Sequence, residues 1–139
     1  MKIIIVPHPD DEFFVLEELK KGIDEVVYVV ETCGGRDVEA INVAKHYKFR
    51  PVFCHGLLGL EAYLMACKKE FTIIAPLDVI GDHPMHRLVA NLVERAREHI
   101  EFDYVPYVID VDNLSIADKE LIAKFYPSQK WILYEEMII

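Results

Sequence analysis

The sequence has no glycine-rich loop after its first apolar run, no long basic tract, no paired cysteines and no apolar stretch of membrane-spanning length. Each absence removes a class. Without a Gly-rich turn there is no phosphate-binding fingerprint of a nucleotide-binding domain. The formal net charge is -9, and the basic pairs Lys20-Lys21 and Lys68-Lys69 are short and read as solvated helix ends. A nucleic-acid partner is therefore not expected, because that affinity rests on Lys and Arg. Cys33, Cys54 and Cys67 are odd in number and form no C-x-x-C, which fits free thiols in a reducing compartment. No basic region leads into an apolar core ahead of a cleavage site, so no secretory leader is expected. No run approaches the roughly 20 apolar residues of a membrane span. Together these predict a cytoplasmic protein with no membrane span. No repeat, low-complexity tract or linker interrupts the 139 residues, which suit one domain, 1–139, with one core.

What is present is an alternation of short apolar runs with helical spacings. Residues 2–6 read as a buried strand, residues 11–21 as a helix stopped by Gly22, and residues 25–31 as a second buried strand. A helix over 36–47, a strand over 51–54, a helix over 57–69 and a strand over 71–75 follow. The spacing of Leu88, Val89, Leu92, Val93 and Ala96 predicts a strongly amphipathic helix over 84–100. A fifth strand is read over 104–109, and a helix over 116–125 behind Ser115 as N-cap. Residues 130–139 end apolar and are not assigned to strand or helix. Strand-helix alternation implies an α/β fold: a Rossmann-like three-layer sandwich, with a mainly parallel sheet in the order 3-2-1-4-5. Ligands of such sheets bind where the winding reverses, outside the carboxyl ends of strands one and four.

Two unusual stretches fall at that place. Residues 7–12, Pro-His-Pro-Asp-Asp-Glu, leave the first strand; residues 82–86, Asp-His-Pro-Met-His, follow the fourth. Pro9 keeps His8 extended and suits the first helical position, which puts Asp10 and Asp11 in the first turn of a helix. Carboxylates there also serve as a plain helix start, stabilised by the dipole. His8 adds a second reading. An imidazole and a carboxylate three residues apart can reach one cation, as zinc or ferrous iron. Asp10, between them in the chain, would face the pocket where a general base stands. His83 and His86 are also three apart; one can supply a further ligand while the other lies beyond the ion. His46, His55 and His99 have no acidic partner at ligand spacing and read as surface or helix-end residues, with His55 kept as a weak candidate for substrate contact.

In this combination the residues resemble the PIG-L/LmbE-like N-deacetylases. Pro-His-Pro-Asp-Asp-Glu after a first strand and His-Pro-x-His after a fourth carry most of the resemblance. Thr32-Cys33-Gly34 is similar to a T-x-G loop of that family, Arg36 to Ala40 to its R-x-x-E-A helix start, and Lys119 with Ser128-Gln129 to its K…SQ segment. The resemblance implies a metal-dependent hydrolase, usually using Zn2+, that removes an acetyl group from an N-acetylglucosamine-type substrate with a metal-activated water. It further implies His8, Asp11 and His86 as metal ligands, Asp10 as general base, His83 as the oxyanion-stabilising histidine and Arg36 as a substrate-binding residue. Two features depart from the family pattern. Its His-Pro-Asp-His reads His-Pro-Met-His here, with Met85 in place of the aspartate that orients the first histidine. A glycine pair usual in the first helix is replaced by bulky residues over 13–19. These departures motivate an alternative, a catalytically weak or inactive metal-binding relative of the same fold. The loops after the strands are short, and residues 131–139 are rich in aromatic and aliphatic side chains, which fits a homo-oligomer whose neighbour completes the pocket for a small N-acetylated sugar or glycoconjugate.

Overall fold

The computed structural model describes residues 1–30 and 36–129. Strands β1 (Lys2–Val6), β2 (Glu25–Tyr28), β3 (Arg50–Phe53), β4 (Thr72–Pro76) and β5 (Asp103–Tyr107) form a parallel sheet in the order β3-β2-β1-β4-β5. The helices are α1 (Leu16–Lys21), α2 (Arg36–Tyr47), α3 (Leu57–Met65), α4 (Pro84–Arg97) and α5 (Ile116–Phe125). This is the Rossmann-like α/β architecture, and the strand order, expected from the sequence. The Thr32-Cys33-Gly34 loop and the segment over 130–139 lie outside the described residues.

The continuous apolar runs are explained by burial on both faces. Successive strand side chains point to opposite sides. Ile4, Val6, Val26 and Tyr28 pack with Phe13, Leu19, Val43 and Ile122, so α1, α2 and α5 share one face. Ile3, Ile5, Val27 and Ile73 pack with Leu60, Leu64, Val89 and Val93, so α3 and α4 share the other. Ile3 to Val6 are wholly buried.

The sheet divides at its carboxyl edge. The β1–β2 register continues to Val6 beside Tyr28, and β4–β5 to Pro76 beside Tyr107. The β1–β4 register ends earlier, at Ile4 beside Ile74. The carbonyl of Ile5, beyond that point, accepts a 2.7 Å bond from the buried Tyr107 hydroxyl. A crevice between β1 and β4 results, at the reversal of winding.

The first helix differs from its sequence reading. The chain after Asp10 forms a short 3-10 helix, Asp11–Val15, and only then α1; Val15 (φ -123°, ψ 37°) separates them. Pro9 is not the first helical residue. Asp10 does not lie in a helical first turn but is left-handed, at φ 98°. The reason is competition for backbone N–H groups. Asp11 Oδ2 accepts from the His8 N–H at 3.0 Å, and Glu12 Oε2 accepts from the Asp10 N–H at 2.9 Å. These carboxylates bond backward and fold the chain into a tight turn. Gly22 (φ 108°) ends α1, as its position suggested.

Several other boundaries move. α3 stops at Met65 rather than 69, α4 at Arg97 rather than 100, and β5 spans Asp103–Tyr107. On α3, Gly59 passes the backbone after β3 closely: a Cβ there would stand 1.8 Å from the Cys54 carbonyl oxygen. Gly59→Ala is therefore expected to cost at least about 2 kcal/mol, since backbone must shift to admit the methyl. Urea unfolding checks this; an unchanged midpoint would contradict the close approach.

Candidate metal centre

The crevice collects side chains from both stretches. A cavity of about 340 Å3 is lined by His8, Asp10, Asp11, His83 and His86, with Arg36 and Gln129 at its border and Phe14, Ile109, Val111 and Ile122 as apolar wall. A larger groove of about 520 Å3 between α3 and α4 has a mostly apolar lining, including Leu64, Leu92 and Ile100. It holds none of the residues gathered in the crevice.

His8, Asp11 and His86 offer ligand atoms that all lie within 4.8 Å of one another. Asp11 Oδ2 is 3.6 Å from His8 Nδ1 and 3.5 Å from His86 Nε2. Two ligand atoms about 2.1 Å from a tetrahedral ion stand roughly 3.4 Å apart, so these separations fit one cation. Asp11 is only 5% exposed, and an uncompensated carboxylate there would be costly. The group can hold a metal ion.

The local folding explains how each candidate ligand is aimed. His8 opens the tight turn after β1: its carbonyl accepts from the Asp11 N–H at 3.2 Å, and its own N–H is tied to the Asp11 carboxylate. Pro84 opens α4 as its sequence position suggested, with His83 as N-cap. His86, in the first turn, faces the crevice, and its Nδ1 lies 3.1 Å from Asp82 Oδ1. A carboxylate only accepts, so the imidazole donates from Nδ1 and leaves Nε2 for an ion. Asp82 Oδ1 also accepts from the His83 N–H at 2.7 Å. Asp82 thus links the two histidines. It sits inside the stretch singled out from the sequence, but its role depends on which ring nitrogen it meets.

His83 is beside the ligands rather than among them. Its ring lies 5.4 Å from that of His8 and 5.1 Å from that of His86, centre to centre. Its Nδ1 accepts from the Met85 N–H at 3.0 Å. The backbone of residue 85 therefore orients this ring. In the neutral imidazole the proton is left on Nε2.

Asp10 borders the cavity from its left-handed turn. Such a conformation costs about 1–3 kcal/mol in a residue with a Cβ. Burial, then the neighbouring Asp11 and Glu12 carboxylates, push the Asp10 carboxyl well above the usual range; Arg36 opposes this. Arg36, at the start of α2, stands 3.6 Å from Asp10 Oδ2 and donates from the same terminal nitrogen to the Pro9 carbonyl at 3.3 Å. Its buried Nε has no hydrogen-bond partner among the described residues. Glu12 is wholly buried, and burial pushes it up to about 8, against hydrogen bonds from the Tyr126 hydroxyl and the backbone.

The remaining residues singled out from the sequence are placed as follows. Glu39, of the R-x-x-E-A helix start, accepts from both the hydroxyl and the N–H of Ser128. Ser128 and Gln129 are thereby anchored beside α2, with Gln129 at the cavity. Lys119 is buried in α5. His55 is exposed and does not line the cavity. His46 packs against Tyr47 and Phe125, and His99 borders the α3–α4 groove. Burial pushes the Cys54 and Cys67 thiols up to about 11, so neither is a thiolate at neutral pH. No helix among the described residues is long and apolar enough to cross a membrane.

Compared with known families and curated proteins, the chain matches no family model and no curated protein.

Two predictions follow the geometry. Asp82→Ala frees the His86 ring and is expected to weaken zinc binding about 10- to 100-fold, read by competition with a chromogenic chelator; equal affinity would remove Asp82 from the centre. The second concerns pH. Asp10 and Glu12 are raised in the folded state, so they hold protons that the unfolded chain releases at lower pH. Their contribution is complete below the ordinary carboxylate range and is lost as pH rises toward about 8. The metal-free protein is therefore expected to lose at least about 5 °C of melting temperature between roughly pH 5 and 8.5. A flat calorimetric profile would contradict the buried pair.

Proposed function

We propose that the chain is a metal-dependent amide hydrolase: an N-deacetylase acting on an N-acetylated amino sugar, with zinc as its metal. The observation that supports this most is the convergence of His8, Asp11 and His86 at one point, with a separate carboxylate, Asp10, on the same cavity. Ligand and base are neighbours in the chain, yet the turn sends them to different tasks. The resemblance of residues 7–12 and 83–86 to the PIG-L/LmbE-like family supports the same reading.

Two imidazoles and one carboxylate suit zinc with an open position, and also suit ferrous iron. A divalent cation held there supplies Lewis acidity and makes a water molecule acidic enough to attack near neutral pH. Asp10, whose ionised form a cation at the neighbouring ligands would favour against the effect of burial, accepts a proton from the attacking water as its oxygen bonds to the amide carbon. His83 donates from Nε2 to the carbonyl oxygen as it gains charge, a contribution of roughly 3 kcal/mol for one such donor. The C–N bond then breaks, and Asp10 returns the proton to the departing nitrogen, giving an amine and acetate. Assigning this return to Asp10 rather than His83 rests on the bond from the Met85 N–H to His83 Nδ1. A proton on Nδ1 would set donor against donor. Arg36 supports the Asp10 carboxylate and has a further guanidinium donor for a substrate hydroxyl.

The same bond favours a second reading. With no side-chain carboxylate on the His83 ring among the described residues, the centre also suits a metal-binding relative with weak or no turnover. Acetate release from N-acetylglucosamine and N,N′-diacetylchitobiose with added zinc separates the two; silence across the panel favours the second. If the first holds, Asp10→Asn is expected to lower kcat at least about 1000-fold with zinc stoichiometry unchanged. Retained turnover in that variant would remove Asp10 from the reaction.

A further inference from the structure

We infer that Glu12 is a positioning residue for Asp10, held from beneath by Tyr126. The inference rests on the hydrolase reading for its kinetic consequences but not for its geometry. Glu12 follows the ligand Asp11, yet its side chain points away from the cavity into the core. It is wholly buried, among residues that include Phe13, Tyr28 and Tyr126.

The two oxygens of Glu12 do different things. Oε2 accepts from the Asp10 N–H at 2.9 Å, and Oε1 accepts from the Tyr126 hydroxyl. Tyr126 is itself wholly buried; it caps the end of α5, and its own N–H bonds to the Ile122 carbonyl at 2.7 Å. The carboxylate therefore joins the catalytic turn to a helix far along the chain.

This geometry answers a question that the turn raises. Asp10 holds φ 98° without being glycine, and no side-chain cap of its own stabilises the turn. A conformation of this kind persists only when its surroundings over-determine it. The Phe13 N–H to Asp10 carbonyl bond, at 3.2 Å, constrains one side of Asp10, and the Arg36 contact constrains its side chain. Glu12 constrains the remaining side, its N–H. Loss of that acceptor would let the Asp10 peptide rotate toward an ordinary helical start, which is what Pro-Asp-Asp-Glu favours locally. The Asp10 carboxylate would then leave the cavity while His8, Asp11 and His86 stayed in place.

Three variants test this: Glu12→Leu, Glu12→Gln and Tyr126→Phe. Gln keeps an oxygen for the Asp10 N–H and turns its amide toward the Tyr126 oxygen, which can accept. Leu keeps the volume and removes the acceptor. The readouts are amide hydrogen exchange at Asp10 by NMR, zinc stoichiometry, and kcat and KM for N,N′-diacetylchitobiose. Glu12→Leu is expected to speed Asp10 exchange at least about tenfold and to lower kcat about 100-fold. KM should stay within about threefold and one zinc should still bind, the pattern of a group acting only on the reacting step. Glu12→Gln is expected to restore most of both losses, and Tyr126→Phe to show a smaller change in the same direction. Unchanged exchange in Glu12→Leu, or a Gln variant as impaired as Leu, overturns the inference. If Glu12→Leu fails to fold, Gln and Tyr126→Phe decide: Asp10 exchange equal to the parent in Tyr126→Phe removes the support from α5, and fast exchange in Gln removes Glu12. If the parent releases no acetate, the exchange measurements still decide the positioning, and only the hydrolase reading fails.

Discussion

The structure depends on the burial of β1 on both faces and its pairing on both edges. Ile3 to Val6 are inaccessible, β2 and β4 flank them, and helices close each side. A strand so enclosed has one fixed exit. The chain must leave it at Pro7, directly into the gap where β1 and β4 part. Residues placed just after that exit are held by the whole core rather than by a loop. This suits a centre that has to fix ligand atoms to within a fraction of an ångström.

The same burial accounts for what could be read from the sequence. Two-sided cores leave unbroken apolar runs, so the strands and their order were legible from Ile3-Ile4-Ile5-Val6 and its successors. His8, Asp11 and the His83/His86 pair were legible because they stand beside prolines near element ends and strand order brings those ends together; the choice of His86 over His83 came from the resemblance alone. Asp10 was legible as a residue apart from Asp11 but not in its conformation. Locally, Pro9-Asp10-Asp11-Glu12 is a good helix start. The left-handed turn depends on Glu12 being drawn into the core by Tyr126, a partner 114 residues away. Glu39 and Ser128 show the same limit: each belonged to a weak motif, and the contact between them needed the fold. Asp82 was visible as a residue, whereas its hold on one ring nitrogen of His86 is purely a matter of three-dimensional geometry.

Met85 illustrates how a side-chain function can be met from the main chain. His83 caps α4, and a free N–H of the first helical turn takes the position that a carboxylate would otherwise occupy at Nδ1. The ring is oriented in either case, but with the opposite proton placement. An N–H fixes Nδ1 as an acceptor, whereas a carboxylate would fix it as a donor. The two arrangements differ in which protons the histidine can exchange.

The parting of β1 from β4 has a consequence for how ligands at this centre communicate. His8 and Asp11 are carried by one half of the sheet, and Asp82 and His86 by the other, with the bond from the Tyr107 hydroxyl to the Ile5 carbonyl joining the halves where the gap begins. An ion shared by His8, Asp11 and His86 would be a clasp across that seam. Its hold and the width of the seam are one variable. Any molecule that prefers a wider or narrower opening must change the grip on the ion by the same factor that the ion changes its own.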